Sequence, residues 1–190
     1  MTDTLHSEIA NSFDVLKNGG IILYPTDTVW GLGCDATNET AVKRLFELKK
    51  RAADHSMIVL VNSDRLIHRI FKEVPEAAWQ ILELSEKPTT LVLDDPKNVA
   101  PQLIANDNSL GIRIVKDPFC YKLIERLKNP LVSTSANFSG APTPTSFTEI
   151  APELIQQVDY VVNLDRDKKT TKSSAIIKLT RDAQVKIIRS

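Results

Sequence analysis

The sequence predicts an α/β or α+β domain built on an open sheet in which some neighbouring strands are antiparallel. Strand-like and helix-like segments are mixed along the chain without strict alternation, and this order favours an open sheet over a barrel. The chain has 190 residues, of which 42% are hydrophobic, so it can bury a sizeable core. No internal repeat is visible, and we therefore expect a single domain over residues 1–190.

Apolar spacing and end signals locate the predicted elements. In chain order they are a helix ending at Gly19-Gly20, a strand at 21–25, a helix at 38–50, a strand at 57–61, a helical stretch to about Ser85 that is interrupted at Pro75, strands at 89–93 and 110–115, a helix at 121–127, a strand at 130–135, a helix from about Ser146, a strand at 160–164, and a terminal hairpin of 174–179 and 185–189.

The helices rest on three kinds of signal. Ile9, Phe13 and Leu16 recur at helical spacing before the glycine pair. Asn38 is a suitable cap for the second helix. The helix from about Ser146 is expected to turn three apolar side chains inward, namely Ile150, Leu154 and Ile155. The strands are short apolar runs bounded by proline or polar residues.

Composition excludes several classes of protein. Lys plus Arg equals Asp plus Glu at 24 each, which argues against a protein that coats nucleic acid through excess cations. Cys34 and Cys120 belong to no CxxC pair, so neither a disulfide framework nor a zinc site is indicated. The start of the chain does not resemble a signal peptide, and no apolar run approaches the ~20 residues of a membrane span. We expect a cytoplasmic protein without membrane contact.

The first polar constellation follows the strand at 21–25. Thr26, Asp27 and Thr28 could hold a small zwitterion, or their oxygen atoms could satisfy the local backbone as a turn. The same stretch matches the dinucleotide pattern G-x-G-x-x-A from Gly31 to Ala36. In a true fingerprint the glycines leave the strand directly and open the helix. Because a polar turn and two bulky residues intervene here, the pattern does not support a nicotinamide site.

Two further constellations could bind phosphate. Lys49 and Arg51 could clamp a triphosphate, or they could simply complement the dipole of the preceding helix. The stretch 132–145 places hydroxyl and amide side chains, including Ser135 and Asn137, directly after an apolar strand. These side chains could donate to phosphate oxygens, or the stretch could be an ordinary surface loop.

Several single residues remain ambiguous. Arg113 lies in an apolar strand and could point to solvent from a polar face. His55 could be an exposed loop residue with no role. The polar stretch 165–174 could be a surface loop or a lid over an anionic ligand, because Lys168, Lys169 and Lys172 cluster there. We find no Ser–His–acid triad, no paired carboxylates and no metal-ligand spacing.

Taken together, these segments resemble the YrdC-like threonylcarbamoyl-AMP synthase family, which includes the bacterial TsaC enzymes. The resemblance is carried by GGIILYPTDTVWGLGCDA, by K-x-R at Lys49 and Arg51, by GIRIV around Arg113, and by STSANFSGAPTPT. It implies a twisted open mixed sheet with flanking helices and a large concave cavity. It also implies a nucleotidyltransferase that makes threonylcarbamoyl-AMP and pyrophosphate from L-threonine, bicarbonate and ATP for tRNA modification.

The resemblance also assigns site residues. The Lys-Arg and Ser-Asn signature is Lys49, Arg51, Ser135 and Asn137. The threonine and bicarbonate positions are Thr28, Arg113, Ser133 and Ser174. The ATP positions are Lys49, Arg51, His55, Ser135, Asn137, Thr143 and Arg189. Mg²⁺ is expected with ATP, held largely by substrate oxygens, and no protein metal site is expected. Further expected partners are tRNA or double-stranded RNA and tRNA-modification proteins.

The chain departs from the family pattern at several places. Ala52 and Ser56 stand where the family usually has proline or glycine, and Leu60 stands at a position that is often histidine. The segment W-P-G-P-x-T appears as residues 85–90, and lysines and aspartates replace the glycines expected before the last strands. The alternative is a YciO-like paralogue that binds nucleotide or RNA without synthase activity. Retention of the Lys-Arg and Ser-Asn signature favours the synthase.

Overall fold

The computed structural model describes residues 3–50, 57–169, 173–182 and 184–190. Its helices are α1 (Asp3–Lys17), α2 (Glu39–Leu48), α3 (Asp64–Ile70), α4 (Glu76–Leu84), α5 (Pro118–Leu127) and α6 (Pro152–Ile155). Its strands are β1 (Ile22–Tyr24), β2 (Gly31–Gly33), β3 (Ile58–Val61), β4 (Thr89–Asp94), β5 (Ser109–Ile114), β6 (Leu131–Ser135), β7 (Tyr160–Val161), β8 (Ala175–Leu179) and β9 (Val185–Arg189).

The described strands form one mixed sheet in the order β7-β1-β2-β6-β3-β5-β4-β8-β9. The pairs β1–β7, β3–β5 and β4–β8 are parallel, whereas the remaining neighbours are antiparallel. The predicted fold class, an α/β fold with a twisted, open, mixed sheet and flanking helices, is confirmed. No helix in the described ranges is long and apolar enough to cross a membrane.

Local end signals fix the helices as expected. The Asn38 side chain accepts from the Ala41 N–H at 3.0 Å and caps α2. The Asp117 carboxylate does the same for α5, accepting from the Cys120 N–H at 2.9 Å, and Pro118 occupies the first turn. Gly19 takes φ +77° after α1, a conformation that favours glycine.

The structure differs from the prediction in two places. The prediction of one helix from about Ser146 is wrong, because the chain forms a 3₁₀ turn at Phe147–Glu149 and then the separate short helix α6. Ala151 precedes a proline and takes ψ 127°, since proline disfavours the helical region for the residue before it. Ile150 and Leu154 are nevertheless buried, as expected. The second difference is β2, a strand that the sequence analysis did not predict.

The apolar core covers both faces of the central strands. β1, β3 and β5 are almost entirely buried, and α1 and α5 pack against each other. Because the centre of the sheet has no exposed face, a polar side chain on a central strand must find a partner inside the molecule or face an internal cavity. The candidate site contains polar side chains of this kind.

Candidate functional site

A cavity of about 200 Å³ opens between β2, β5 and β6 and the hairpin of β8 and β9. It is lined by Thr28, Val29, Gly31, Met57, Ile58, Arg113, Ser133, Thr134, Ser135, Thr143, Ser173, Ser174, Ile176 and Arg189. All of the threonine and bicarbonate positions assigned by resemblance lie in this lining, as do three of the ATP positions: Ser135, Thr143 and Arg189. The sheet therefore brings together polar residues that are far apart in sequence.

Arg113 supplies a buried cation to this cavity. Its side chain is only 3% exposed, so the interpretation that it points to solvent is wrong. β5 is covered on both faces, and Arg113 pairs in register with Leu60 of β3. The guanidinium donates from Nη1 to Thr28 Oγ1 at 3.0 Å, and Nη2 lies 3.0 Å from Asp27 Oδ1. Nε is buried and has no hydrogen-bond partner among the described residues.

The polar turn 26–28 both satisfies its own backbone and serves the cavity. Thr26 Oγ1 donates to the Val29 carbonyl at 2.8 Å and accepts from the Thr28 N–H at 3.0 Å. The two threonine hydroxyls lie 2.9 Å apart. Because the Thr26 proton goes to Val29, the Thr28 hydroxyl donates to Thr26 and accepts from Arg113. The turn interpretation therefore holds for Thr26, whereas Thr28 contacts Arg113 at the cavity.

Lys49 fixes the loop that follows β6. The residue is 1% exposed, and its ammonium donates to the Ser135 carbonyl at 2.6 Å, the Asn137 carbonyl at 2.5 Å and Asn137 Oδ1 at 3.2 Å. The Ser135 hydroxyl also donates to Asn137 Oδ1 at 2.5 Å, and the Ser139 N–H donates to the Lys49 carbonyl at 3.0 Å. These contacts tie the buried ammonium to the backbone and side chains of the loop that follows β6.

The last hairpin closes the cavity with a second cation. Ser174 is buried, and its hydroxyl lies 2.8 Å from Thr90 Oγ1. The Arg189 Nε donates to the Ser174 carbonyl at 2.9 Å. Partial desolvation, together with the positive charge of Arg113, lowers the pKa of Arg189. Two arginines thus face one small space, and a negatively charged ligand would relieve their repulsion.

The glycines of the G-x-G pattern have a packing role. A Cβ at Gly33 would lie 2.3 Å from the Val132 carbonyl oxygen, and a Cβ at Gly31 would lie 3.4 Å from Ser133 Oγ at the cavity wall. Both residues belong to β2, which pairs with β1 and β6. The pattern therefore forms a strand instead of a phosphate-binding turn, in agreement with the rejected nicotinamide site.

Three of the sequence assignments fall outside the described residues: Arg51, His55 and Lys172. The same holds for the departures at Ala52 and Ser56. Sequence analysis missed the apolar wall of Val29, Met57, Ile58 and Ile176. Two partners of the candidate residues were also not predicted. Thr90 contacts Ser174 and Asp27 pairs with Arg113, and both pairs are far apart in sequence. The contact between Thr90 and Ser174 follows from the pairing of β4 with β8, which the sequence alone does not give.

Neither cysteine is suited to act as a nucleophile. Cys34 and Cys120 are both buried and free, and burial raises the pKa of each thiol well above its usual range. A buried neutral thiol is a small hydrophobe and not a nucleophile. No group of three His, Cys, Asp or Glu residues that could hold a metal ion occurs in the described part of the chain.

Comparison with known proteins identifies relatives. The family model Sua5_yciO_yrdC, described as "Telomere recombination", matches residues 14–190. A protein of Xanthomonas euvesicatoria named Threonylcarbamoyl-AMP synthase is 35% identical over 167 residues, which cover 86% of this chain and 88% of that protein. A protein of the same name from Pyrococcus abyssi is 35% identical over 151 residues, covering 78% of this chain and 44% of that protein.

Solved structures agree with these matches. The structure of P. abyssi Sua5 complexed with L-threonine has a TM-score of 0.79 and 31% identity, and the match covers 90% of this chain and 50% of that one. E. coli YciO has a TM-score of 0.82 and 24% identity, with 96% and 88% coverage, and at this identity the likeness shows the fold alone. The chain thus spans about half the length of the P. abyssi relatives and most of the length of the others described here.

Proposed function

The chain belongs to the Sua5_yciO_yrdC family, and from that premise we propose that it is a threonylcarbamoyl-AMP synthase. In this reaction threonine and bicarbonate give a carbamate, which attacks the α-phosphorus of ATP and releases pyrophosphate. The observation that carries the proposal is the convergence of Thr28, Arg113, Ser133, Ser174 and Arg189 on one cavity. Relatives named for this activity are 31–35% identical to this chain in alignments that cover 78–86% of it.

Arg113 and Thr28 are suited to the amino-acid end of the site. A guanidinium can bind a carboxylate through two parallel hydrogen bonds, and Arg113 lines the cavity. The apolar atoms of Met57, Ile58 and Ile176 line the same space, which suits the methyl group of threonine. Burial strengthens the ion pair that a bound carboxylate would form.

The loop after β6 is suited to the nucleotide end. Ser135 and Thr143 line the cavity with hydroxyl groups, and Arg189 adds a cation. Lys49 and Asn137 support this loop from behind, through the contacts between their side chains and Ser135. Arg51 and His55 complete the ATP set on the strength of the sequence resemblance. Donors that are already fixed in place stabilise charge on phosphate oxygens without reorganisation.

The chemistry requires positioning and not a protein nucleophile. A carbamate oxygen forms the new bond to the α-phosphorus while the bond to the bridging oxygen of pyrophosphate breaks, and the electron pair leaves with pyrophosphate. Such in-line transfer gains most from orientation and from charge stabilisation. The buried, neutral thiols and the absence of a triad in the described residues agree with this mechanism.

Magnesium fits the site as a companion of ATP. No Asp or Glu side chain among the described residues lines the cavity, and the nearby Asp27 pairs with Arg113, so the described lining offers few hard oxygen ligands. When bound with ATP, Mg²⁺ would be held mainly by substrate oxygens and would supply neutralisation of phosphate charge. Transfer of the adenylate to tRNA by partner proteins, direct contact with tRNA or double-stranded RNA, and a cytoplasmic location are further parts of the proposal.

The alternative is a YciO-like paralogue that binds nucleotide or RNA without turnover. One assay separates the two functions: the protein is incubated with ATP, threonine and bicarbonate, and pyrophosphate release is measured. We expect release that depends on both co-substrates. A protein that binds ATP but releases no pyrophosphate when all three are present would contradict the synthase and favour the paralogue.

A further inference from the structure

A second concave space adjoins the cavity and is positively charged. It has a volume of about 570 Å³ and shares Thr28, Ser173 and Arg189 with the cavity, so the two spaces are adjacent. Its cationic lining is Lys87, Lys168, Lys169 and Arg189. We call this space the lysine vestibule.

Three separate segments supply these cations. Lys87 precedes β4, Lys168 and Lys169 follow β7, and Arg189 ends β9. The two lysine segments are those in which the chain departs from the family pattern, at 85–90 and at the charged stretch before the last strands. The fold therefore gathers three lysines that the resemblance does not account for.

The positive charge of the vestibule is only weakly compensated within the described residues. Asp27 is the one side-chain carboxylate in its lining, and that group already pairs with Arg113 at 3.0 Å. Lys168 lies 3.5 Å from Asp165, with both side chains more than half exposed, and such exposed pairs contribute little. Among the described residues, no carboxylate lies within ion-pair distance of Lys87 or Lys169, although Glu149 attracts Lys169 over a longer distance.

The size and charge of the vestibule indicate the kind of ligand. Its volume lies within the range of about 300–1,000 Å³ that small-molecule sites occupy, whereas the cavity alone is smaller than this range. Four cations around one space match an anion with several charges and exceed the needs of a single carboxylate. A concave, enclosed space suits a short phosphate chain better than an extended nucleic acid, which needs a long basic surface.

We propose that the lysine vestibule is a second phosphate-binding subsite that takes pyrophosphate. The choice of pyrophosphate rests on the proposed function, because that reaction releases it next to the vestibule. Lys87, Lys168 and Lys169 hold the anion as point charges, and Arg189 lies at the boundary between vestibule and cavity. The subsite gives the leaving group a place outside the cavity.

Direct binding of pyrophosphate tests the subsite without turnover. The triple variant Lys87→Gln, Lys168→Gln and Lys169→Gln is compared with a matched control, Lys43→Gln, Lys72→Gln and Lys97→Gln. The control removes the same charge from exposed lysines elsewhere. Calorimetric titration with sodium pyrophosphate is expected to show about a tenfold or larger loss of affinity for the vestibule variant only. Raising the ionic strength should weaken binding more in the wild type than in that variant.

Several outcomes would overturn the inference. Equal pyrophosphate affinity in the two triple variants would mean that the anion is held elsewhere in the cavity. Loss of binding to a labelled RNA hairpin without loss of pyrophosphate binding would assign the lysines to RNA instead. Failure of the proposed function appears separately, as wild-type protein that releases no pyrophosphate with ATP, threonine and bicarbonate, and the titration remains interpretable in that case.

Discussion

Replacing Lys49 with methionine separates two roles for this residue. As a phosphate ligand, its ammonium would affect ATP binding and leave the empty protein unchanged. As the anchor of the loop after β6, it would affect the stability of the protein without ligand. The structure favours the second role, because the ammonium donates to the Ser135 and Asn137 carbonyls and to Asn137 Oδ1.

The magnitude follows from the groups left behind. Methionine keeps most of the apolar stem, so the change isolates the ammonium. Each buried carbonyl that loses its donor costs about 1–3 kcal/mol, and two carbonyls give about 2–6 kcal/mol. Release of the desolvated ammonium offsets part of this cost. We therefore expect a loss of at least about 2 kcal/mol, which for a chain of this length lowers Tm by roughly 4–8 °C.

Thermal unfolding without ligand is the appropriate assay, and Lys43→Met is the matched control. Lys43 lies in α2, the helix that ends just before Lys49, and is exposed, so the identical change there should alter stability by less than about 0.5 kcal/mol. ATP binding is then measured on both variants well below their Tm values. An unchanged Tm for Lys49→Met, combined with lost ATP binding, would refute the anchoring role and restore the phosphate contact.

Three further outcomes follow from the described contacts. Arg113→Lys keeps the charge but loses the planar fork, so threonine affinity should fall by about 10–100-fold while ATP affinity changes little, as measured by titration with each ligand. Gly33→Ala should destabilise the protein by about 3 kcal/mol because its Cβ would meet the Val132 carbonyl, whereas Gly31→Ala should leave Tm unchanged and weaken threonine binding; equal effects would contradict the packing argument. Hydrogen bonds from Arg44 hold the pKa of Asp159 below its usual range, so this stabilisation is complete above the ordinary aspartate pKa of about 3.9 and is lost as pH falls below it. Asp159→Asn should therefore flatten the fall in unfolding free energy below about pH 4 in denaturant titrations, and an unaltered slope would exclude the linkage.

Most of the fold could be predicted because its signals are local. The Asn38 cap, the glycine pair after α1 and the apolar runs of β3 and β5 each specify an element within a few residues. β2 could not be predicted in this way. It is three residues long and contains two glycines, which have low strand propensity. The formation of β2 depends on close packing against Tyr24 and Val132, which only the folded sheet reveals.

The candidate site was less accessible than the fold because its contacts are long-range. Residue types and spacing gave Thr28, Ser133 and Ser135, which the structure brings to one cavity. The same reasoning left Arg113 open to a solvent-facing role, since alternation describes one strand and not what covers the sheet. The anchoring contacts of Lys49 bridge residues 86 and 88 positions apart. Such pairs follow from strand order, which local pattern does not encode.

The strand order also has a consequence for how the molecule assembles. β7 pairs with β1 and β8 pairs with β4. Strands from late in the sequence therefore lie next to strands from much earlier in the sequence. A chain emerging from the ribosome cannot form the pocket until its last hairpin is free to dock. Sheets dominated by such distant pairings fold slowly and leave strand edges open in the meantime. We therefore expect the cavity to form late in folding, once the hairpin of β8 and β9 has docked against β4.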